Sequence, residues 1–178
     1  DKREIWRWKF YGGSLKGIEE KLDYLKELGI TAIYLNPIFR ARSTHRYDTA
    51  DYMETDPVLG TEDDFVSLAD EARRRDIRII LDGVFNHCGS FNKWLDRERI
   101  YEGQKGYEDG AYVSKDSPYH DFFYFYESED DKWPYNHTYD GWWGHDPLPK
   151  LNYEGSSELT DYILNIGKKG VSPPYNVD

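Results

Sequence analysis

Two short apolar runs, each next to an amphipathic helical pattern, constrain the fold of this chain more than any other feature. The first run is residues 31–35 (TAIYL) and the second is residues 77–84 (IRIILDGV). Runs of this length are typical of buried strands, and strands separated by amphipathic helices favour βαβ units with a parallel sheet. The sequence therefore predicts an α/β fold.

Three helices are predicted from apolar residues at helical spacing. The first ends at Gly29, the second begins at the N-cap Thr61 and the third ends at Gly170. Their apolar positions are Leu15, Ile18, Leu22, Leu25 and Leu28, then Phe65, Leu68, Ala69 and Ala72, and finally Leu159, Tyr162, Ile163 and Ile166.

The middle of the chain breaks this pattern. Residues 88–150 are rich in Tyr, Trp, Asp and Gly and carry no long periodic segment. Compact domains seldom contain a structureless loop of this length, so a small irregular subdomain is expected there. Near Val177 the chain resembles the approach to another strand. Two strands and part of a third leave open sheet edges, so the chain is expected to be part of a larger folding unit.

Charge and composition exclude several classes of partner. The net charge is −11, and the basic runs at residues 73–75 and 168–169 fall near helix ends. A nucleic-acid partner is therefore not expected. A single cysteine, Cys88, excludes an internal disulfide, and no apolar stretch is long enough to cross a membrane. Aromatic residues make up 17% of the chain, which suits either a packed core or surfaces that stack on sugar rings.

Polar segments follow the predicted strands. Residues 36–37 (NP) lead to residues 45–48 (HRYD), residues 82–87 read DGVFNH, and residues 148–152 read LPKLN. In α/β barrels the active site lies at the carboxyl ends of the strands.

These segments resemble glycoside hydrolase family 13, the α-amylase family. DGVFNH is similar to its first signature region, Asp-x-x-x-Asn-His. FYGGSLKGI, LNPIF and YDTADY resemble segments of its neopullulanase and cyclomaltodextrinase members, and LPKLN resembles their fifth region, with Leu148 in place of Met. The resemblance covers nearly the whole chain. It implies a partial (β/α)8 TIM barrel: the second and third strands, the start of the fourth and an inserted irregular domain B.

The resemblance also implies a domain division and roles for single residues. Residues 1–87 would form the N-terminal part of the barrel, residues 88–150 domain B, and residues 151–178 the third helix and the approach to the fourth strand. His87 matches a histidine that hydrogen-bonds the sugar at the cleavage subsite, and Tyr47 a tyrosine that stacks on it. Asp82 matches an acid that supports the site. Further sugar contacts are expected at Asp48, His45, Trp142, Trp143 and Tyr153, although aromatic packing within domain B explains the two tryptophans equally well.

The expected reaction is that of a retaining α-glucan hydrolase. It would cleave α-1,4 bonds, and as a further option α-1,6 bonds, in cyclodextrin, pullulan, starch or maltooligosaccharides. The family's nucleophile lies in a Gly-x-Arg-x-Asp segment and its general acid is a glutamate on a later strand. Neither segment occurs in these 178 residues, so no catalytic residue is assigned and the isolated chain is expected to be inactive.

Several alternatives remain open. The parent could be a non-catalytic family member acting as an interaction or transport subunit, or the chain could be a carbohydrate-binding module. A different activity within the family, such as an α-glucosidase, a pullulanase or a transferase, is the third alternative. The parent is expected to be a bacterial protein, either cytoplasmic or secreted, with the cytoplasm preferred, and a dimer is one expected assembly.

The resemblance raises the question of calcium. In many relatives the residue at the position of Asn86 binds Ca²⁺ together with an aspartate in the fifth region, where this chain has Lys150. Lysine offers no oxygen and adds a positive charge, so no cofactor is expected and calcium is disfavoured. We expect the Lys150 ammonium to bond Asn86, with Asp82, Asp140 or Asp146 balancing its charge; the alternative is a lysine extended into solvent.

Overall fold

The computed structural model describes residues 10–126 and 139–177. They divide into two compact units. The first unit takes in the described residues of Asp1–Arg46, Tyr52–Gly83 and Asn165–Asp178, and the second takes in Tyr47–Asp51 and the described residues of Val84–Leu164. No helix in the described ranges is long and apolar enough to cross a membrane.

The regular elements of the described chain are four helices and four strands. In chain order they are α1 (Leu15–Glu19), α2 (Leu22–Glu27), β1 (Ala32–Leu35), β2 (Phe39–Ala41), β3 (Thr49–Thr55), α3 (Glu62–Arg74), β4 (Arg78–Leu81) and α4 (Ser157–Gly170).

Strands β1 and β4 form the centre of the first unit. They pair in parallel, with Tyr34 opposite Ile80 and Leu35 opposite Leu81, as the two apolar runs predict. Because side chains alternate along a strand, one face carries the buried Leu35 and Ile79 and packs in the core with α1 and α3. The opposite face exposes Tyr34 by 58% and Ile80 by 37%. The described sheet therefore keeps an open face with apolar side chains.

Helix α3 matches its prediction closely. The Thr61 hydroxyl accepts from the Asp64 backbone amide, and the Asp64 carboxylate accepts from the Thr61 amide, which forms a capping box. This bonding lowers the pKa of Asp64. The predicted apolar stripe is buried, and the core also holds Ile77 and Tyr175.

Three parts of the prediction need correction. The first predicted helix is two short helices, since α1 ends at Glu19 and α2 begins at Leu22. The predicted strand 77–84 is shorter, as β4 covers only Arg78–Leu81. The two-stranded sheet of β2 and β3 was not predicted. Its longer strand, β3, contains acids at Asp51 and Glu54 that interrupt the apolar run on which strand prediction depends.

The second unit contains little regular structure. Its described part between residues 88 and 150 forms two short 3-10 turns, His120–Phe122 and Trp142–Gly144, and isolated bridges. Aromatic rings fill its interior: Trp94 meets Phe122 and Tyr162 edge to face at 5.3 and 5.0 Å between ring centroids. Ring packing thus adds to the backbone hydrogen bonds of turns and isolated bridges as a source of order.

Candidate functional site

His87 lies at the centre of the candidate site and is only 2% exposed. Its Nε2 is 2.8 Å from the backbone oxygen of Tyr47. A carbonyl only accepts, so Nε2 carries the proton and donates. Its Nδ1 is therefore an acceptor and lies 2.7 Å from the amide nitrogen of Asn86. These bonds select one neutral tautomer and fix the plane of the ring.

Backbone pairing holds this histidine in place. His87 forms an antiparallel bridge with Lys150, the Leu151 amide donates to the carbonyl of Asn86, and the Cys88 amide donates to Pro149. The segment after β4 is thereby joined to the LPKLN segment. Two of the three polar segments singled out in the sequence are neighbours in space.

The backbone around Tyr47 is hydrogen-bonded to the segment that contains His87. The Gly89 amide donates to the Thr49 carbonyl over 2.9 Å. A Cβ at Gly89 would come within 2.9 Å of the Asp48 carbonyl oxygen. A larger residue at this position would therefore push the backbone of Asp48 away. Tyr47 is half-buried and Asp48 is 8% exposed. The structure therefore brings His87, Tyr47 and Asp48 together.

A ladder of rings extends from His87. Trp142 stacks on His87 with 5.0 Å between centroids, and Trp143 stacks on Trp142 at 4.4 Å with an interplanar angle of 11°. Trp143 is 82% exposed. The sequence did not reveal that these tryptophans are coupled to His87; a pair of adjacent tryptophans was the only signal.

The other two predicted sugar contacts belong to the first unit. Asp82 follows β4 and hydrogen-bonds Tyr34 on β1, which raises the pKa of Tyr34. His45 is exposed, and its Nδ1 lies 3.0 Å from the hydroxyl of Ser43.

Within the second unit Tyr153 donates to the carbonyl of Phe85, and burial raises its pKa to about 12. Tyr153 therefore remains a neutral donor at ordinary pH.

Lys150 has partners other than the main one predicted. Its ammonium lies 3.4 Å from a carboxylate oxygen of Asp140 and 4.9 Å from the centre of the Tyr124 ring. Asp140 was one of the three acids considered for this role. The predicted bond to Asn86 is wrong, because the Lys150 ammonium donates to Asp140 and the side-chain amide nitrogen of Asn86 contacts the imidazole of His87. The Lys150 side chain is 47% exposed, so it also keeps contact with solvent.

A buried ion pair in the first unit was missed by sequence reasoning. Arg46 and Asp56 approach to 2.7 Å with side chains 6% and 3% exposed. Asp56 also accepts from the amides of Ala41 and Val58. Arg46 lies between His45 and Tyr47 in the sequence, and a motif does not show which of three adjacent polar residues is turned inwards.

Comparison with known proteins places the chain in a family. Residues 1–165 match the family described as Alpha amylase, catalytic domain. An amylopullulanase of Thermoanaerobacter thermohydrosulfuricus is 44% identical over 90% of the chain. The type III pullulan hydrolase from Thermococcus kodakarensis superposes with a TM-score of 0.73 and 42% identity over 91% of the chain. The cyclic α-maltosyl-(1→6)-maltose hydrolase from Arthrobacter globiformis, in complex with maltose, gives 0.75 and 34% over 96%.

The chain spans only part of these relatives. It covers 11% of that amylopullulanase, and 26% and 35% of the two solved chains. The family match nevertheless extends over more than nine tenths of the chain. The similar sequences and the similar solved structures agree with it and indicate a TIM-barrel family. The chain therefore belongs to the α-amylase family, as part of its catalytic domain.

Proposed function

We propose that this chain is part of a retaining α-glucan hydrolase. Such an enzyme cleaves α-1,4 or α-1,6 bonds of cyclodextrin, pullulan, starch or maltooligosaccharides through a glycosyl-enzyme intermediate. Support comes from the family match and from relatives whose names describe hydrolysis of pullulan and of cyclomaltodextrin. The reacting carboxylates would come from segments outside these 178 residues.

Within the barrel, we assign β1 and β4 as the second and third strands. The two strands pair in parallel, α3 lies between them in the chain, and their sheet has an open apolar face. These features suit two strands that belong to a larger closed sheet. We assign residues 88–150, which make up most of the second unit, to the inserted domain B. The scarcity of regular structure in these residues supports this assignment.

The observation that carries the proposed function is the contact between His87 and the Tyr47 segment. These are the two residues that the family resemblance assigns to the cleavage subsite, and the bond from Nε2 to the Tyr47 carbonyl joins them directly. Both ring nitrogens of His87 already have protein partners. A sugar hydroxyl would therefore reach Nδ1 by replacing the exposed amide of Asn86. Asp48 of the same unit is a further proposed sugar contact. The family resemblance also assigns Asp82 and His45, which belong to the first unit, to sugar binding.

The variant Tyr47→Ala tests whether the Tyr47 ring stacks on the sugar, and it should disturb the fold little. The bond from His87 ends on the Tyr47 backbone oxygen, so the variant removes the ring and keeps the bond. In the full-length protein that contains this chain, we expect kcat/KM for maltooligosaccharides to fall at least about tenfold through lost stacking. Tyr24→Ala, which removes a 60% exposed ring of α2, is the matched control and should change little. An unchanged kcat/KM in Tyr47→Ala would reduce Tyr47 to a packing residue.

We also propose that the enzyme holds no calcium ion beside Asn86. The residues present do not fit that metal, because a hard cation needs several oxygen ligands. Here the Asn86 amide faces His87, and the nearby Asp140 carboxylate is paired with the Lys150 ammonium. The described residues contain no group of three acidic, histidine or cysteine side chains that could hold a metal. The ion pair between Lys150 and Asp140 would then hold the LPKLN segment in place without a metal ion.

Thermal melting of the full-length protein distinguishes a site stabilised by calcium from one stabilised by Lys150. We expect an excess of EDTA to leave Tm unchanged. Lys150→Ala should lower the stability by about 1 kcal/mol, since it removes a half-exposed ion pair and a cation–π contact. Lys115→Ala is the control, because Lys115 is an exposed lysine of the same unit. A Tm that falls with EDTA and recovers with added calcium would contradict the assignment.

A further inference from the structure

We infer that Trp143 is a stacking platform for a second sugar unit of the glucan, apart from the sugar at Tyr47 and His87. This inference rests on the proposed function, because it identifies where a longer substrate chain lies. Trp142 separates Trp143 from His87 in the ring ladder. A sugar on the outer face of Trp143 would therefore be a different residue of the glucan from one held at His87.

The exposure of Trp143 is unusual for its size. The residue is 82% exposed, which is the largest exposed fraction among the large apolar residues of the described chain. One face is covered by Trp142 at 4.4 Å, and the other is open. A flat aromatic face open to solvent is the surface on which the C–H face of a pyranose ring stacks.

The backbone at Trp143 adopts a conformation that is unfavourable for a tryptophan. Trp143 has φ 51°, in the left-handed region that bulky residues avoid, and Gly144 follows with φ 74°. Strain of this kind persists only where surrounding contacts enforce it, and it is frequent at ligand sites. A glycine would fit this position better. Trp143 thus occupies a position where its backbone conformation is unfavourable.

The loop that carries Trp143 is tightly closed. The Trp142 amide donates to Leu148, the His145 amide donates to Trp142, and a Cβ at Gly141 would meet the His145 carbonyl oxygen at 2.5 Å. A rigid platform loses little conformational entropy when a ligand binds. His145 and Asp146 follow in the same loop and are exposed, and the Asp146 carboxylate lies 3.9 Å from the Arg97 guanidinium. Polar side chains of this kind in the loop can hydrogen-bond sugar hydroxyls.

The test measures binding and turnover of maltoheptaose by the full-length protein that contains this chain. We expect Trp143→Ala to weaken maltoheptaose binding in calorimetry, and to raise KM, by roughly fivefold to tenfold. The kcat should stay unchanged, because the ring contacts substrate equally before and during the reaction. Trp143→Tyr should retain part of the affinity, and Tyr24→Ala should retain all of it.

Trp143→Gly separates binding from folding. Glycine relieves the left-handed strain, so this variant should melt no lower than the parent while losing the same affinity as Trp143→Ala. Full affinity in both variants would overturn the platform. A large loss of Tm in Trp143→Gly without loss of affinity would overturn it as well and show that the ring packs against another part of the protein. If the unmodified protein neither binds nor hydrolyses α-glucans, the proposed function itself fails.

Discussion

We expect the purified 178-residue chain to release reducing sugar from cyclodextrin, pullulan and starch no faster than a buffer blank. Retaining glycosidases need two carboxyl groups about 5–5.5 Å apart, one as nucleophile and one as acid/base. The segments that carry them in the α-amylase family do not occur in this sequence. Loss of reacting groups typically costs about 10⁴-fold to 10⁶-fold in kcat.

The control for this experiment is His87→Ala in the same chain, prepared in parallel. Trace activity from a contaminating amylase would be the same in both preparations. Turnover that copurifies with the chain and disappears in His87→Ala would contradict the expectation, since it would show that these residues hold a complete reaction centre.

The second large effect concerns stability rather than reaction. We expect Asp56→Ala to destabilise the protein by about 3–5 kcal/mol, because it leaves the buried Arg46 guanidinium without its counter-charge. The change also removes the acceptor for the amides of Ala41 and Val58. For a protein of this size, thermal melting should show a fall in Tm of about 10 °C or more.

A second ion pair in the same unit provides the matched control. Arg40 and Glu54 lie 2.9 Å apart, but their side chains are 55% and 54% exposed. Glu54→Ala should cost less than about 1 kcal/mol, because water screens both charges in the folded state. Equal losses in Asp56→Ala and Glu54→Ala would show that burial does not set the strength of the Arg46 pair.

The sequence predicts the first unit well where hydrophobic periodicity is strong. Helix α3 begins at its capping residue and buries its whole apolar stripe, and β1 and β4 pair in parallel as expected. Prediction fails where the pattern is mixed. The strand β3 has acids within its run, and the break between α1 and α2 depends on packing that periodicity does not register.

The candidate site was predictable only as a set of residues. The motifs place His87 and Tyr47 near one another, and the structure shows that contact. They do not show that Trp142 covers His87, because that contact joins residues far apart in the sequence. Nor do they show which partner Lys150 selects, since the motifs pointed to Asn86 for its bond and left three acids open for its charge, and the structure selects Asp140. Such choices depend on distances of a few ångström that only the folded chain defines.

The pairing of the segment around His87 with the LPKLN segment has a consequence for how such enzymes diversify. Hydrogen bonds from Cys88 to Pro149 and from Ser90 to Pro147 bring the two ends of the intervening stretch side by side. Once its ends are fixed, doubling the length of a flexible loop costs only about 0.6 kcal/mol in closure entropy. Exposed turns between these ends, such as residues 102–109, can therefore be lengthened during evolution at small thermodynamic cost, as long as the aromatic interior of the stretch is kept. Substrate preference could then change by exchange of this stretch while the strands that anchor it stay the same.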